Sequence, residues 1–209
     1  MIAPYAAALV LVLSIISVTP VTADTVRGLD VEVLMHFEGK RVAVRDFTPD
    51  AQSPVWRQIV AQADALMPKR APRLVYHDEN EQPCWELLYR DQHPKHPEIV
   101  ICEWSAPDFS AFWGIDGLVG VTPTIPDPKH RRVIDSSIVM VGDGLALDEV
   151  PACHEFMHAL IGIMDRPSWI PEQPDSCVWG QLREPGAFDA DVIRESYGRD
   201  RSHHRKVPR

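Results

Sequence analysis

The amino-acid sequence predicts an α/β fold, because β-prone runs alternate along the chain with patterns typical of amphipathic helices. The chain has 209 residues, of which 45% are hydrophobic and 24% are charged, with 19 prolines and 11 glycines. This composition supports a packed core and excludes a disordered chain, a collagen-like repeat and a protein with several membrane spans. The formal net charge of −9 argues against nucleic acid as the main partner.

The two ends of the chain differ from its middle. The first 23 residues contain no charged side chain, and an apolar run over residues 6–18 is followed by small residues before Asp24. This pattern predicts a signal peptide over residues 1–23, cleaved after Ala23, and a secreted, extracellular protein without stable membrane association afterwards. An uncleaved anchor is the alternative, because no Lys or Arg precedes the run. We expect one folded domain over residues 24–198 and a basic, disordered tail over residues 199–209.

The first half of the domain is predicted to place strands around one helix. Residues 29–37 and 41–47 are β-prone runs joined by a Glu-Gly-Lys turn at Gly39, which predicts a hairpin. Apolar residues then recur at helical spacing over residues 53–67, with Ser53 as the expected N-cap. Three further strands are predicted over residues 73–77, 85–89 and 98–104.

The second half contains the strongest helical pattern. Residues 117–124 and 133–141 are β-prone and flank a turn at Pro126-Asp127-Pro128. Residues 147–161 then form a mostly apolar helical segment that stops at Gly162. A shorter amphipathic helix is predicted over residues 189–197.

Four cysteines remain after removal of the signal peptide: Cys84, Cys102, Cys153 and Cys177. An even number in an exported chain predicts two disulfides, for which three pairings are possible. We favour the sequential pairing, Cys84–Cys102 and Cys153–Cys177, because each pair brackets a short segment.

The chemistry-bearing motif is His154-Glu155-Phe156-Met157-His158, inside the apolar helix. Residues four apart lie on one helix face, so both imidazoles can bind one metal ion, for which Zn²⁺ is the natural candidate. Glu155 follows the first histidine and can act as general base on a water molecule. The competing interpretations are a hydrogen-bonded histidine pair in the core and a surface helix with incidental histidines.

The sequence around this motif resembles the metzincin metallopeptidases, in particular matrixin-like members. Their pattern is HExxHxxGxxH, and a minority such as the snapalysins end it with Asp; here the sequence is HEFMHALIGIMD. Residues 133–141 resemble the strand before the active-site helix, residues 174–179 (PDSCVW) the Met-turn, and residues 189–198 the terminal helix that ends in Tyr-Gly. The resemblance covers roughly residues 41–198, closely in the second half and only as element order in the first.

The resemblance implies that a third metal ligand follows Gly162. One extra residue separates His158 from this glycine, and the family's spacing counted from the glycine gives Asp165 as the ligand, together with His154 and His158. Glu172 is the alternative ligand. Asp165 has a structural alternative, in which its side chain caps nearby backbone N–H groups.

A second departure from the family pattern lies in the turn below the metal. The family's turn methionine is absent, and Cys177 or Val178 occupies its place. Since that methionine forms an apolar floor and is not a ligand, the predicted Cys153–Cys177 bridge could replace its packing role by a covalent link to the residue before His154.

The resemblance implies a zincin-like fold. We expect a twisted, mostly parallel sheet of about five strands with one antiparallel edge strand, which would be residues 117–124. Two long helices, one of them the active-site helix, back this sheet, and a small irregular C-terminal part closes the cleft. The edge strand would align a peptide by β-augmentation.

The resemblance also implies a function, namely a secreted zinc-dependent endopeptidase that acts as a monomer on peptide or protein substrates. In such an enzyme zinc lowers the pKa of a water molecule, and Glu155 accepts its proton. An aspartate ligand donates less to the metal than histidine and adds a negative charge, so we expect a less acidic water molecule and a somewhat more alkaline pH optimum than with a third histidine. The alternative is a secreted zincin-fold protein that binds a metal or a partner without turnover, favoured by the missing methionine and opposed by the intact Glu155.

Overall fold

The structure, a computed structural model, describes most of the predicted domain. The described residues are 24–31, 34–49, 53–79, 97–104, 120–130, 132–142, 148–163, 165–166 and 170–198. The predicted signal peptide, the predicted strand over residues 85–89, Cys84 and the basic tail lie outside these residues, so the expectations for them stay predictions.

A mostly parallel sheet forms the centre of the molecule, and a separate two-stranded hairpin precedes it. The strands are β1 Asp24–Val26, β2 Leu29–Val31, β3 His36–Phe37, β4 Arg41–Asp46, β5 Arg73–Asp78, β6 Glu98–Trp104, β7 Gly120–Val121, β8 Thr124–Pro126 and β9 Val133–Gly142. Strands β5, β4, β6 and β9 are parallel neighbours in that order. The α/β class predicted from the sequence is therefore confirmed.

Three short strands pair with β9 at this edge of the sheet, whereas the sequence predicts one edge strand. Strands β7 and β8 pair antiparallel with β9, and β3 pairs parallel with its first residues. The described part of the sheet therefore has seven strands, rather than about five, because β3 joins the sheet and the expected edge strand is represented by two short strands, β7 and β8. Residues 117–119 of the expected edge strand lie outside the described residues. The register shift between Ile125 and Pro126 marks the irregularity of this edge.

The predicted hairpin between residues 29–37 and 41–47 is wrong. Strand β3 pairs with β9, whereas β4 lies between β5 and β6 and is parallel to both. Gly39 turns the chain with a φ of 108°, but β3 and β4 do not pair with each other. Val42 and Val44 are completely buried, which is typical of an inner strand that needs a neighbour on both sides.

Three helices are present among the described residues: α1 Ser53–Leu66, α2 Glu149–Ile161 and α3 Ala187–Gly198. The first two agree with the predicted segments to within two residues. Helix α3 begins two residues earlier than predicted, because the backbone N–H of Ala190 already donates to the carbonyl of Gly186. Within the part of the chain that the structure describes, no helix combines the length and the apolarity needed to cross a membrane.

One hydrophobic core joins the sheet to the helices. Its buried members include residues of the inner strands, of α1 and of the metal-motif helix α2, for example Val44, Ile99, Val139, Trp56, Phe156 and Met157. Helix α2 is also tied to β9 by a hydrogen bond of 3.0 Å from Ser137 Oγ to the carbonyl of Ala159. The sheet therefore fixes the position of α2, which carries both histidines of the motif.

The N-terminal hairpin β1–β2 is part of this core. Val26 and Val31 are buried in it. At the turn, Arg27 forms ion pairs of 2.7 Å with Asp175 and with Asp191, which lies on α3. The hairpin thus packs against the C-terminal helix and against the segment that passes below the motif.

Candidate metal centre

Helix α2 holds the two histidines in a rigid element. The side chain of Asp148 accepts a hydrogen bond from the backbone N–H of Val150 and caps the first turn. At the other end, Gly162 adopts the left-handed conformation, with a φ of 60°, and donates its N–H to the carbonyl of His158. His154 and His158 therefore project from one face of a helix whose other residues are mostly buried.

Gly162 also directs the chain towards the histidines. A Cβ at this position would lie 2.8 Å from the sulfur of Met35, so the position requires glycine for space as well as for its positive φ. Three residues later Asp165 lies beside both imidazoles. The left-handed turn at the helix end therefore accommodates the extra residue between His158 and Gly162.

Three potential ligand atoms converge after this turn. His154 Nε2 lies 3.1 Å from Asp165 Oδ1, and His158 Nε2 lies 3.3 Å from the same oxygen. The two Nε2 atoms are 2.9 Å apart. Among the residues that the structure describes, these are the one group of three His, Cys, Asp or Glu side chains arranged to share a metal ion.

The backbone orients the imidazole of His158 towards this point. His158 Nδ1 faces the carbonyl of Ile163, so this nitrogen carries a proton and donates it. The backbone of Cys177 lies near the ring of His154 and contributes to raising the pKa of that imidazole. In the neutral form of His158, the lone pair is consequently on Nε2, the atom that faces Asp165. Hydrogen bonds of this kind fix the tautomer and the ring orientation of histidines that bind metals.

The donor set fits a zinc ion. Two imidazoles and one carboxylate leave the fourth position of a tetrahedral zinc ion open, as in catalytic zinc sites. Tetrahedral zinc–ligand bonds of about 2.0–2.1 Å place the ligand atoms roughly 3.3 Å from one another. The observed separations of 2.9–3.3 Å are close to this value.

The ionisation of the cluster reflects the close approach of the Asp165 carboxylate to the two imidazoles. Hydrogen bonds from His154 and His158 lower the pKa of Asp165 well below its usual range. Burial lowers the pKa of His154, but its hydrogen bond to Asp165 and the charges of Glu155 and Asp165 outweigh burial and raise it. The Asp165 side chain is 82% exposed, so the cluster opens to solvent on that side.

Glu155 lies on the inner side of the histidine pair. Its side chain is buried and accepts a hydrogen bond of 2.6 Å from Thr122 Oγ1 at Oε2. Burial raises the pKa of Glu155, whereas Thr122 and the two histidines act in the opposite direction. The carboxylate is therefore within electrostatic range of both imidazoles.

The turn below the site is held by a covalent and a polar link. The predicted Cys153–Cys177 disulfide is confirmed and connects α2 to this turn. Buried Asp189 of α3 accepts hydrogen bonds from Ser176 Oγ and from the backbone N–H of Cys177, at 2.6 and 2.8 Å. Cys102 is also disulfide-bonded, but Cys84 lies outside the described residues, so their pairing stays a prediction.

A cleft of about 250 Å³ opens beside the histidines, lined by His154, Asp165, Arg166, Glu172, Val178, Trp179, Gly180 and Gln181. The alternative ligand Glu172 lies at this cleft with an 80% exposed side chain, 3.7 Å from the guanidinium of Arg166. The structure thus brings Asp165, and not Glu172, to the imidazoles. Val178 also lines the cleft.

The sequence did not indicate Thr122, Gly120 or Asp189 as parts of this site. Thr122 and Gly120 are more than thirty residues from Glu155 in the chain, and their proximity depends on the antiparallel edge of the sheet. Asp189 carries a signal that could have been used, because an acidic residue in the first turn of a helix commonly accepts backbone N–H groups.

Neither a scan against protein-family models nor a search of the curated proteins finds a match for this chain.

Proposed function

We propose that the chain is a secreted zinc-dependent endopeptidase of the metzincin type. The observation that supports this proposal most strongly is the convergence of His154 Nε2, His158 Nε2 and Asp165 Oδ1 within 2.9–3.3 Å of one another. The buried carboxylate of Glu155, one residue after the first histidine, supplies the acid–base group that peptide hydrolysis requires.

The roles of the residues follow from their positions. His154, His158 and Asp165 would hold the zinc ion. When bound, zinc supplies Lewis acidity, which makes a water molecule a nucleophile near neutral pH and polarises the scissile carbonyl. Glu155 accepts a proton from the attacking water and later transfers it to the leaving amine. The hydrogen bond from His158 to the carbonyl of Ile163 keeps this imidazole oriented throughout.

The substrate would lie along the antiparallel edge of the sheet. Strands β7 and β8 flank Thr122, whose hydroxyl contacts Glu155, so a peptide placed along this edge lies next to the base. An extended peptide can add to such an edge through its backbone, with side chains directed alternately into the cleft. Arg166 and Trp179 line the cleft in which one of these side chains would be held.

A second function is favoured by one observation. Only 4% of Glu155 is exposed, which is little for a group that must contact a water molecule. On this basis the competing proposal is a secreted protein that binds a metal ion or a partner through the same residues without turnover.

Casein and gelatin zymography of the secreted chain, with and without a chelator, tests the proposal. We expect cleavage that the chelator abolishes and added zinc restores, with the Glu155→Gln variant as the matched inactive control. Cleavage that is insensitive to chelator would contradict the zinc enzyme. No cleavage by a chain that carries stoichiometric zinc would favour the binding function.

A further inference from the structure

Two small residues of the sheet edge enclose the Glu155 side chain. Thr122 Oγ1 lies 2.6 Å from Oε2 and 3.1 Å from the backbone carbonyl of the same residue. On the other side is Gly120, where a Cβ would lie 2.5 Å from Oε1 and 2.6 Å from Cγ. We name Gly120 and Thr122 the glutamate seat.

The contact between Thr122 and Glu155 is selective for one carboxylate oxygen. A hydroxyl has one proton to donate, and the shorter distance places it on Oε2 rather than on the backbone carbonyl. Oε1 therefore does not share this donor and lies on the side of Gly120. A glutamate side chain rotates about three bonds, so without the seat its carboxylate could leave the position next to the histidines.

The contact at Gly120 restricts the same side chain by volume. Because the carboxylate fills the space that a Cβ would need, any larger residue at position 120 must displace Glu155 or the edge strand. Gly120 itself is paired with Val141 of β9, which limits how far that strand can move.

We infer that the glutamate seat positions the general base, with Thr122 as the positioning residue and Gly120 as the position that must stay without a side chain. This inference rests on the proposed peptidase function. Thr122 does not touch the reacting atoms; it acts through Glu155. The competing explanation is that Thr122 merely links the sheet edge to α2 through the backbone carbonyl of Glu155.

Variants of Thr122 test the positioning role by kinetics. Thr122→Val keeps the size of the side chain but removes the hydroxyl, so we expect kcat to fall by about tenfold or more, with KM and zinc content little changed. Thr122→Ser restores the donor and should recover most of kcat. Equal kcat in the valine variant and the wild type would overturn the positioning role.

Variants of Gly120 test the steric half of the inference. We expect Gly120→Ala to lose kcat by about tenfold or more while it keeps zinc, because the new methyl group displaces the carboxylate. The matched control is Gly198→Ala at the end of α3, where the nearest atom to a Cβ is Arg194 Cγ at 3.8 Å. A Gly120→Ala variant as active as the Gly198→Ala control would contradict the seat.

A stability measurement tests the seat without any activity. In chelator, the urea midpoints of Thr122→Val, Glu155→Ala and the double variant form a cycle. If the hydroxyl binds the carboxylate, Thr122→Val lowers the midpoint less in the Glu155→Ala background than in the wild type. Equal shifts in both backgrounds would show that the hydroxyl acts only through the backbone carbonyl, which overturns the inference even if the chain is an active peptidase. Absence of chelator-sensitive cleavage by the wild type, with the cycle still coupled, would instead refute the proposed function and leave the seat as a structural contact.

Discussion

The Cys153–Cys177 bridge offers the sharpest test of how the site is built. It joins the residue directly before His154 to the turn whose backbone contacts the ring of that histidine. Both cysteines are completely buried. Replacing both by alanine removes the covalent link and leaves the polar link from Asp189 to the turn in place.

The size of the effect follows from the length of the loop that the bridge closes. The cysteines are 24 residues apart in the sequence. In the chain-entropy treatment a loop of this length gives about 3.5 kcal/mol of stabilisation, through restriction of the unfolded chain. A loss of that size lowers Tm by roughly 7–14 °C in a domain of this length. We expect the affinity for zinc to fall as well, by roughly 10–100-fold, because the turn that orients His154 is less constrained.

The assay is unfolding by urea, monitored through tryptophan fluorescence in the presence of a chelator and without a reductant. The two single alanine variants separate the bridge from packing. Loss of either cysteine breaks the bridge, so each single variant should lose nearly as much free energy of unfolding as the double variant. The stabilising role of the bridge would be refuted if the losses in free energy of unfolding of the two single variants added up to that of the double variant. A loss below about 1 kcal/mol in the double variant would refute it as well.

Four further predictions concern the ligands, the base and the turn. Glu155→Gln should keep about one zinc per chain but lower the hydrolysis rate by about 10²-fold or more. Wild-type turnover in this variant would show that the motif binds metal without Glu155 acting as the base. Asp165→Ala should lose both zinc and activity, whereas full zinc content at submicromolar free metal would direct attention to Glu172. Asp189→Ala leaves buried donors of Ser176 and Cys177 unpaired and should cost on the order of 3 kcal/mol in urea unfolding, while an unchanged midpoint would contradict its role in holding the turn. The pH–rate profile should have no maximum below about pH 6, because the pKa of His154 is raised and protonation of this ligand releases zinc; a maximum there would contradict His154 as a ligand.

Local sequence signals predicted those elements whose ends are determined locally. Helix α2 stops at Gly162 because the chain needs a positive φ there, and the glycine in the sequence indicates this directly. Strand β6, Glu98–Trp104, is bounded as predicted by its β-prone run. The Cys153–Cys177 pairing was also predictable, because the two residues bracket a short segment.

Contacts that depend on long-range pairing were not predictable in the same way. The β-prone runs on either side of Gly39 fit a hairpin locally, but the alternation of residues does not reveal that β3 pairs with β9. The glutamate seat depends on the register of β7 and β8 against β9, which no local pattern encodes. Predicting that Asp165 lies beside the histidines required two things, namely its spacing from Gly162 and the resemblance to a known motif.

The proposed function requires that His154, His158 and Asp165 hold a zinc ion and that this ion is needed for hydrolysis. The most direct measurement is the zinc content of the secreted chain by elemental analysis, combined with casein cleavage before chelation, after chelation and after reloading. We expect about one zinc per chain in the wild type, loss of cleavage on chelation and recovery with one equivalent of zinc. Cleavage of casein by a chain without zinc would contradict the proposed function. So would a chain that carries a full equivalent of zinc and does not cleave any peptide bond.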